Sequence, residues 1–519
     1  MAAFAVKVVL ATRTAGTQDI RAWTWFAEGV RSRGPVGVYA IDFAGQHRGQ
    51  YNHPPLVGYL LEGVNALADL GVPLRVTIRL LSSAADVGSA LLLFSLLRRR
   101  VPLSTALFSG VAVAASPVLV LVSGYHGNTD PVFMMLVLLA TYLVADRQRP
   151  GLGGVGLAAA VGIKLIPVIV APVLLAFLLR RSGPAARRAG IVFLSAFLAT
   201  SALLWVPAVI GHWAALRQNV LGYVGVDTRP WGLVHFADMA GASTVASALV
   251  HPGARVVVAI CALLPAVRVW RHPEDVVGAV ALALAGFLLL SPAFGVQYVV
   301  WALAPLYLLE VWSGVVFDLA AALVLFVVYD RWNGGLPWVR VAIAQPWTRW
   351  EETLAALLWA LLAVAVGRAV ISRTGYEVGS ARARPAVGST VPGTHGHHDD
   401  EPDDDETGAE HRPAIGLLAE NEHAGREDRQ VAEGIERIGD VQWHPRQRQE
   451  PGHGRDPEHE QPQPHPGVAD RLRREGRAPH LGRLRALGHG VLEDHLPGGR
   501  QPHREQQDGQ VGQAHTDLS

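Results

Sequence analysis

The sequence predicts an all-α fold: a polytopic bundle of about 11–12 transmembrane helices, with interfacial helices in its first outer loop and a disordered C-terminal tail. Three observations carry that expectation. Of the 519 residues 50% are hydrophobic and only 17% are charged, where a soluble domain carries about a quarter. Up to Ser372 the apolar residues form long runs parted by short Arg-rich connectors. Beyond Arg373 such runs stop, and 14 of the 21 histidines lie there. Two domains follow, a membrane domain over 1–372 and a tail over 373–519.

A helix needs about 20 apolar residues to cross roughly 30 Å of hydrocarbon. The runs that suit this are Val76–Leu97, Leu103–Val122, Pro131–Ala145, Leu152–Ile163, Leu165–Leu179, Ala189–Ile210, Arg255–Trp270, Val276–Leu290, Phe294–Val311, Val315–Val328 and Leu354–Val370. The opening run Met1–Thr12 is too short at about 1.5 Å per residue, so the true start is expected upstream. No basic n-region or small-residue cleavage site marks a signal peptide.

Charge orients the bundle, because Lys and Arg gather in short cytoplasmic loops. Basic clusters stand at Arg98–Arg100, Arg147–Arg149, Arg180–Arg188, Arg268–Arg271 and Arg368–Arg373. All five share one side if His53–Leu70, with its two prolines, Glu62 and Asp69, lies in the interface instead of crossing. The outer face then holds 13–75, Ser123–Asp130, the turn at Lys164, 211–254, Ser291–Pro292 and 329–352, and the tail is cytoplasmic. A net charge of +1 gives no sign of a nucleic-acid partner. The single cysteine, Cys261, excludes an internal disulfide framework and a multi-Cys zinc site.

The polar residues of the outer face are the candidates for chemistry. Asp19 is either a helix N-cap or a general base aimed at a substrate hydroxyl. Lys164 is one of only two lysines, the other being Lys7. An ammonium at that depth in an apolar pair either faces a phosphate across a polar cavity or snorkels to the interface. Arg79 and Asp86, seven apart, share a helix face and suit a charge pair. Asp130 before Pro131 reads as an N-cap. His126 is either a solvated loop histidine or a ligand-binding group. Gln297, Tyr298 and Trp301 suit either an aromatic belt or a sugar. No zinc, P-loop, dinucleotide or acyl-transfer motif is present.

Taken in order over residues 1 to about 370, these segments resemble the GT-C superfamily of membrane glycosyltransferases that use polyprenyl-phosphate sugars. The chain is most similar to the dolichyl-phosphate-glucose glucosyltransferases, the glycosylphosphatidylinositol mannosyltransferases and the bacterial polyprenyl-phosphate-mannose enzymes. The matching pieces are Asp19 with Trp23 and Trp25; Tyr51, Asn52, His53, Pro54, Pro55 and Leu56; and Arg79 with Asp86. Further on they are Ser116 and Pro117 leading into Tyr125–Gly127, then Gly162 and Lys164 ahead of Pro167, and Ser291, Pro292, Gln297 and Tyr298. His53 stands where the family's glucosyltransferases have an acidic residue.

The resemblance implies an inverting hexosyltransferase, with mannose or glucose passing from a polyprenyl-phosphate carrier to a lipid- or glycan-linked acceptor. Asp19 would be the catalytic base. Lys164, His126, Arg79, Gln297 and Tyr298 would bind donor phosphate and sugar, and Tyr51, His53, Pro54 and Pro55 would form a substrate loop. No metal ligand and no cofactor beyond the donor substrate are expected, and the partners are membrane lipids, donor and acceptor. The enzyme would be multi-pass in a bacterial plasma membrane with its site extracytoplasmic. The reading from another class is a transporter or flippase, for which the apolar pair around Lys164 is the strongest feature.

From about Ser380 the chain has no Lys, Phe, Tyr, Met or Cys and too little apolar surface to offset ordering entropy. The cluster His395, His397, His398, Asp399 and Asp400 reads as an accident of that composition. The abrupt change also suits translation in a wrong reading frame.

Overall fold

In this computed structural model the described residues are 2–46, 50–180, 183–223, 230–250, 252–292 and 294–371. The expected disorder of the tail and its histidine cluster lie outside them. The helices in chain order are α1 (Ala2–Arg13), α2 (Gln18–Gly37), α3 (Pro55–Asp69), α4 (Leu74–Leu97), α5 (Leu103–Ala114) and α6 (Pro117–Leu119). Next come α7 (Asp130–Ala145), α8 (Pro150–Ile163), α9 (Val170–Arg180), α10 (Pro184–Ala215), α11 (Gly232–Met239) and α12 (Ser243–Val250). The last five are α13 (Pro252–Arg271), α14 (Val276–Leu290), α15 (Val300–Leu309), α16 (Val311–Asn333) and α17 (Arg349–Ile371). Proline opens α3, α8 and α10, where its missing N–H leaves no helical bond unmade. Among the described residues there is no β-strand, only a bridge between Thr17 and Ala342.

Among the described residues seven helical stretches are long and apolar enough to cross a membrane. Their outward faces are apolar, as at Ile191, Leu198, Leu203 and Ile210 of α10, which suits lipid and not water. The chain is a multi-pass membrane protein. Four apolar helices are shorter, at 10–17 residues: Asp130–Ala145, Pro150–Ile163, Ile166–Arg180 and Val296–Leu309. At about 1.5 Å per residue they reach roughly 21–24 Å, short of the ~30 Å hydrocarbon core.

The basic clusters gather at one end, as their spacing predicts. Arg100 bonds Asp146 at 2.7 Å, Arg180 donates to the Trp270 carbonyl at 2.8 Å, Arg268 to that of Ala369 at 3.2 Å, and Arg368 pairs with Glu310 at 3.0 Å. With the short helices anchored there, the missing length falls at the opposite end. The Ser82 hydroxyl donates to the Asn128 carbonyl, so the turn that opens α7 lies about 12 Å below the first residue of α4. The sunken helix ends, α7 beside α4 and α8 beside α3, are called the recess.

The short α1 is held at its middle and at its C-terminal end by α4. Lys7 Nζ meets Asp86 Oδ2 at 2.7 Å, both side chains 2% exposed. Arg79 Nη1 donates to the carbonyls of Ala11 and Thr14 at 3.0 Å each and of Leu10 at 3.3 Å, satisfying acceptors that the end of α1 leaves free. The charge pair expected on this face is an interhelical one, between Asp86 and Lys7, and Arg79, two turns away, binds the carbonyls that end α1. Arg79 is fully buried; its Nη1 is committed to backbone, while Nε and Nη2 make no hydrogen bond among the described residues.

Lys7→Met leaves the Asp86 carboxyl alone in an apolar interior and is expected to cost about 3–5 kcal/mol, whereas Lys7→Met with Asp86→Leu recovers most of it. Thermal unfolding in detergent measures both. A double variant no more stable than the single one would show that the ion pair is not what joins α1 to α4.

Candidate active site

The first turn of α2 enters the recess. Thr17 is its N-cap, accepting from the Asp19 N–H at 3.3 Å. Asp19 itself is free of that duty, which removes the capping account of its carboxylate. Gly16, at φ +81°, lets the chain pass over Arg79: a Cβ there would fall 1.8 Å from Nη2. Trp23 Nε1 donates to the Gly127 carbonyl at 3.0 Å and the Thr17 hydroxyl to that of His126 at 3.3 Å. These bonds dock α2 on the turn that carries His126.

That turn is the widened stretch Val120–His126, closed by Gly127 at φ +74°. A Cβ on Gly127 would meet Ile20 Cδ1 at 2.5 Å, so only glycine lets α2 come this close. His126 Nε2 lies 2.8 Å from Asp19 Oδ2, and the side chains are 4% and 32% exposed. The amide of Asn128 reaches the same oxygen at 3.4 Å. Both donors converge on Oδ2, and among the described residues no hydrogen bond reaches Oδ1. Burial pushes the Asp19 carboxyl up, but the charge and hydrogen bond of His126, joined by Lys164, outweigh it and the net shift is downward. Asp19 is a carboxylate at neutral pH with one oxygen held and one open.

Lys164 ends α8 at the same depth. Its Nζ bonds Asp130 Oδ1 at 2.6 Å and lies 4.5 Å from the ring centre of Tyr298 and 4.8 Å from that of Trp301. Trp301 Nε1 donates to the other oxygen, Asp130 Oδ2, at 2.9 Å, and Tyr298 stacks on Trp301 at 4.0 Å and 19°. Asp130 is fully buried and caps nothing, since Thr129 holds the N-cap place; its expected capping role is corrected. The lysine, 24% exposed, is fastened from below by a carboxylate and two aromatic faces.

The substrate-loop candidates form the rim. His53 stacks on Trp23 at 4.5 Å and 25°, and its carbonyl accepts from Tyr39 at 2.5 Å. Burial first, then Lys164, push its imidazole down to about 3, against an upward pull from Asp19. Tyr51 is 2% exposed within a cage of Phe26, Tyr39 and His53. Pro54 and Pro55 start α3. Gln297 folds back over Gly295. Burial raises the Tyr223 phenol, which lies within electrostatic range of Tyr298, Lys164 and Asp19.

The structure thus brings Asp19, His126, Lys164, Tyr298 and His53 to one recess. It keeps Arg79 below, Tyr51 in the supporting cage and Gln297 turned aside. Sequence reading passed over Asn128 and Tyr329, whose hydroxyl lies 2.9 Å from His126 Nδ1. A tyrosine closing an apolar run looks like a belt residue, so no local signal marked it. For Asp130 there was a signal, namely the need of a deep lysine for a counter-charge. Among the described residues no three His, Cys, Asp or Glu side chains gather as a metal site would require.

Residues 53–292 match the family model of glycosyltransferase family 87. The chain is a membrane glycosyltransferase. The matched stretch holds His126, Asp130, Lys164 and His53; Asp19 and Tyr329 lie on either side of it. Neither curated proteins nor solved structures gave a match.

The unfolded chain takes up a proton on His53 near the ordinary 6.5, which the folded chain refuses until about 3. Stability is therefore full above the upper value and is lost as pH falls through that window. His53→Phe keeps the stack on Trp23 without a titrating group, so the drop in unfolding midpoint from about pH 7 to about pH 5 should be smaller in the variant. Equal drops would show that His53 takes up its proton in place.

Proposed function

We propose that this glycosyltransferase is an inverting enzyme that transfers a hexose, mannose or glucose, from a polyprenyl-phosphate carrier to a lipid- or glycan-linked acceptor at the extracytoplasmic face of a bacterial plasma membrane. One observation carries the reading. A carboxylate with a single open oxygen and an ammonium fastened in place share a recess sunk into the end of a lipid-embedded bundle.

In the proposed step the acceptor hydroxyl attacks the anomeric carbon as Asp19 Oδ1 takes its proton. The bond from that carbon to the phosphate oxygen breaks, and polyprenyl phosphate departs with the electron pair. Lys164 opposes the negative charge growing on that oxygen as a compact point charge. A single displacement of this kind inverts a β-linked donor to an α-linked product. The recess suits a carrier whose tail stays in lipid while its phosphate and sugar reach below the interface. The faces of Tyr298 and Trp23 are apt for a sugar ring. The arrangement as proposed calls for no cofactor beyond the donor.

Asp19→Asn should lower transfer from polyprenyl-phosphate mannose or glucose in membrane vesicles by about 10²–10⁴-fold, with the unfolding midpoint retained. Transfer at the wild-type rate would remove Asp19 from its role. For Lys164 the informative variant is Lys164→Met combined with Asp130→Asn, because the single change strands a buried carboxylate. That pair should raise the donor KM or lower kcat at least about tenfold, and an unaltered donor dependence would dismiss Lys164 as the phosphate's partner. Orientation has its own test in a Cys261→Ala background. An impermeant thiol reagent outside the cell should label Asp42→Cys and spare Arg99→Cys, and the reverse pattern would overturn the extracytoplasmic placement.

A further inference from the structure

We infer that the end of α1, the start of α4 and the loop after α16 form a docking surface for anionic phospholipid, with Arg13, Arg75 and Arg340 meeting its phosphate headgroups. This docking is independent of the transfer reaction. α4 and α16 are both long enough to span. The last turn of α4 and the start of α16 lie at the end where Arg100 bonds Asp146 and Arg368 pairs with Glu310. The first turn of α4, which carries Arg75, and the far end of α16 at Asn333 therefore lie at the opposite membrane surface. Side chains there stand at headgroup level.

Backbone contacts bring the three arginines to one corner. Arg79 binds the carbonyls of Ala11 and Thr14 at 3.0 Å each, so Arg13 ends a helix that docks one turn from Arg75 on α4. Ala15 N–H donates to the Trp338 carbonyl at 3.4 Å and Ala342 N–H to the Gly16 carbonyl at 2.8 Å. The stretch that holds Arg340 thus runs beside the residues just after Arg13. All three arginines are exposed. None of their side chains makes a hydrogen bond or ion pair among the described residues, and the neighbouring acids are engaged: Asp69 with Arg31 at 2.6 Å, Asp86 with Lys7 at 2.7 Å and Asp330 with Trp338 Nε1 at 2.9 Å.

Large apolar side chains stand beside these charges, Leu70 at 80% exposed, Leu336 at 67% and Val339 at 65%. Apolar tips that flank guanidinium groups suit the membrane interface, where the tips enter the acyl chains and the charge stays among the headgroups. A guanidinium grips a phosphate through two parallel hydrogen bonds, and three of them without a counter-charge favour an anionic lipid over a zwitterionic one. A soluble anion would satisfy the arginines and leave the apolar tips in water. A lipid uses both. The loop that bears Val339 and Arg340 also bonds Gly16 and Gln18 through Ala342, so a seated headgroup steadies the chain as it enters α2.

The test is thermal unfolding of the full chain in detergent with phosphatidylglycerol or phosphatidylcholine added. Phosphatidylglycerol should raise the unfolding midpoint at a concentration at least about tenfold below that at which phosphatidylcholine does. In the triple variant Arg13→Gln, Arg75→Gln, Arg340→Gln the two lipids should act within about twofold of each other, while the midpoint without added lipid stays at the wild-type value. The corresponding lysine variant keeps the charges and should retain most of the preference. A preference missing from the wild type, or surviving in full in the glutamine variant, would overturn the proposal; survival would assign it to the arginine clusters of the other end. Inorganic phosphate or glycerol phosphate should leave the midpoint unmoved, and a rise equal to the lipid's would dismiss lipid as the occupant. Independently of any variant, about 0.5 M salt should shrink the gap between the two lipids, and an unaltered gap would equally count against the three charges.

Discussion

Hydrocarbon offers no partner to a free backbone N–H or C=O, so a helix that ends below the membrane surface must end among polar groups. That constraint organises this molecule. The chain breaks at Gly127, at Lys164 and around Ser291–Gly295, and each break opens a short helix or closes one. The polar residues of the recess stand at these breaks. The same geometry that would make an unsupported loop intolerable in lipid creates a place where a carboxylate, two imidazoles and an ammonium can sit below the interface. The depth of the site and its chemistry have one origin.

Electrostatics within the recess are arranged in two pairs that do different work. Asp19 and His126 share an edge where one oxygen is held and the other is open. Lys164 and Asp130 form a pair whose carboxylate is wholly buried and whose lysine side chain is 24% exposed. Asp130 and the ring faces of Tyr298 and Trp301 together hold the ammonium in place, the rings by attraction of a cation to their π faces. Aromatic faces are well suited to this task because they attract a cation yet leave it free to meet an anion from the other side.

Much of the bundle was legible from composition. Every apolar run expected to be a span is largely helical, although four of them form helices too short to cross, and the arginine clusters do converge on one end. The recess was less so. The short runs at 152–163 and 165–179 were recognised but not read as the cause of a sunken site. Asp19, His126 and Lys164 stood out because a polar residue bounded by apolar runs is visible in one dimension. Their partners did not, since Tyr329 and Trp301 are each separated from the residues they bond by more than a hundred positions. Asp130 was misassigned because local pattern offered it a sufficient role, a cap, while the folded chain supplied a stronger one. Lys7 passed without comment because its helix looked too short to matter, although it meets the one carboxylate in α4.

The backbone rung between Gly16–Gln18 and Ala342, in which Ala342 N–H donates to the Gly16 carbonyl and Gln18 N–H to the Ala342 carbonyl at 2.8 Å each, joins the beginning of the bundle to its closing loop. A ribosome delivers those two segments more than three hundred residues apart. The turn that presents Asp19 reaches the membrane first and waits for its brace until the final pair of helices has been threaded.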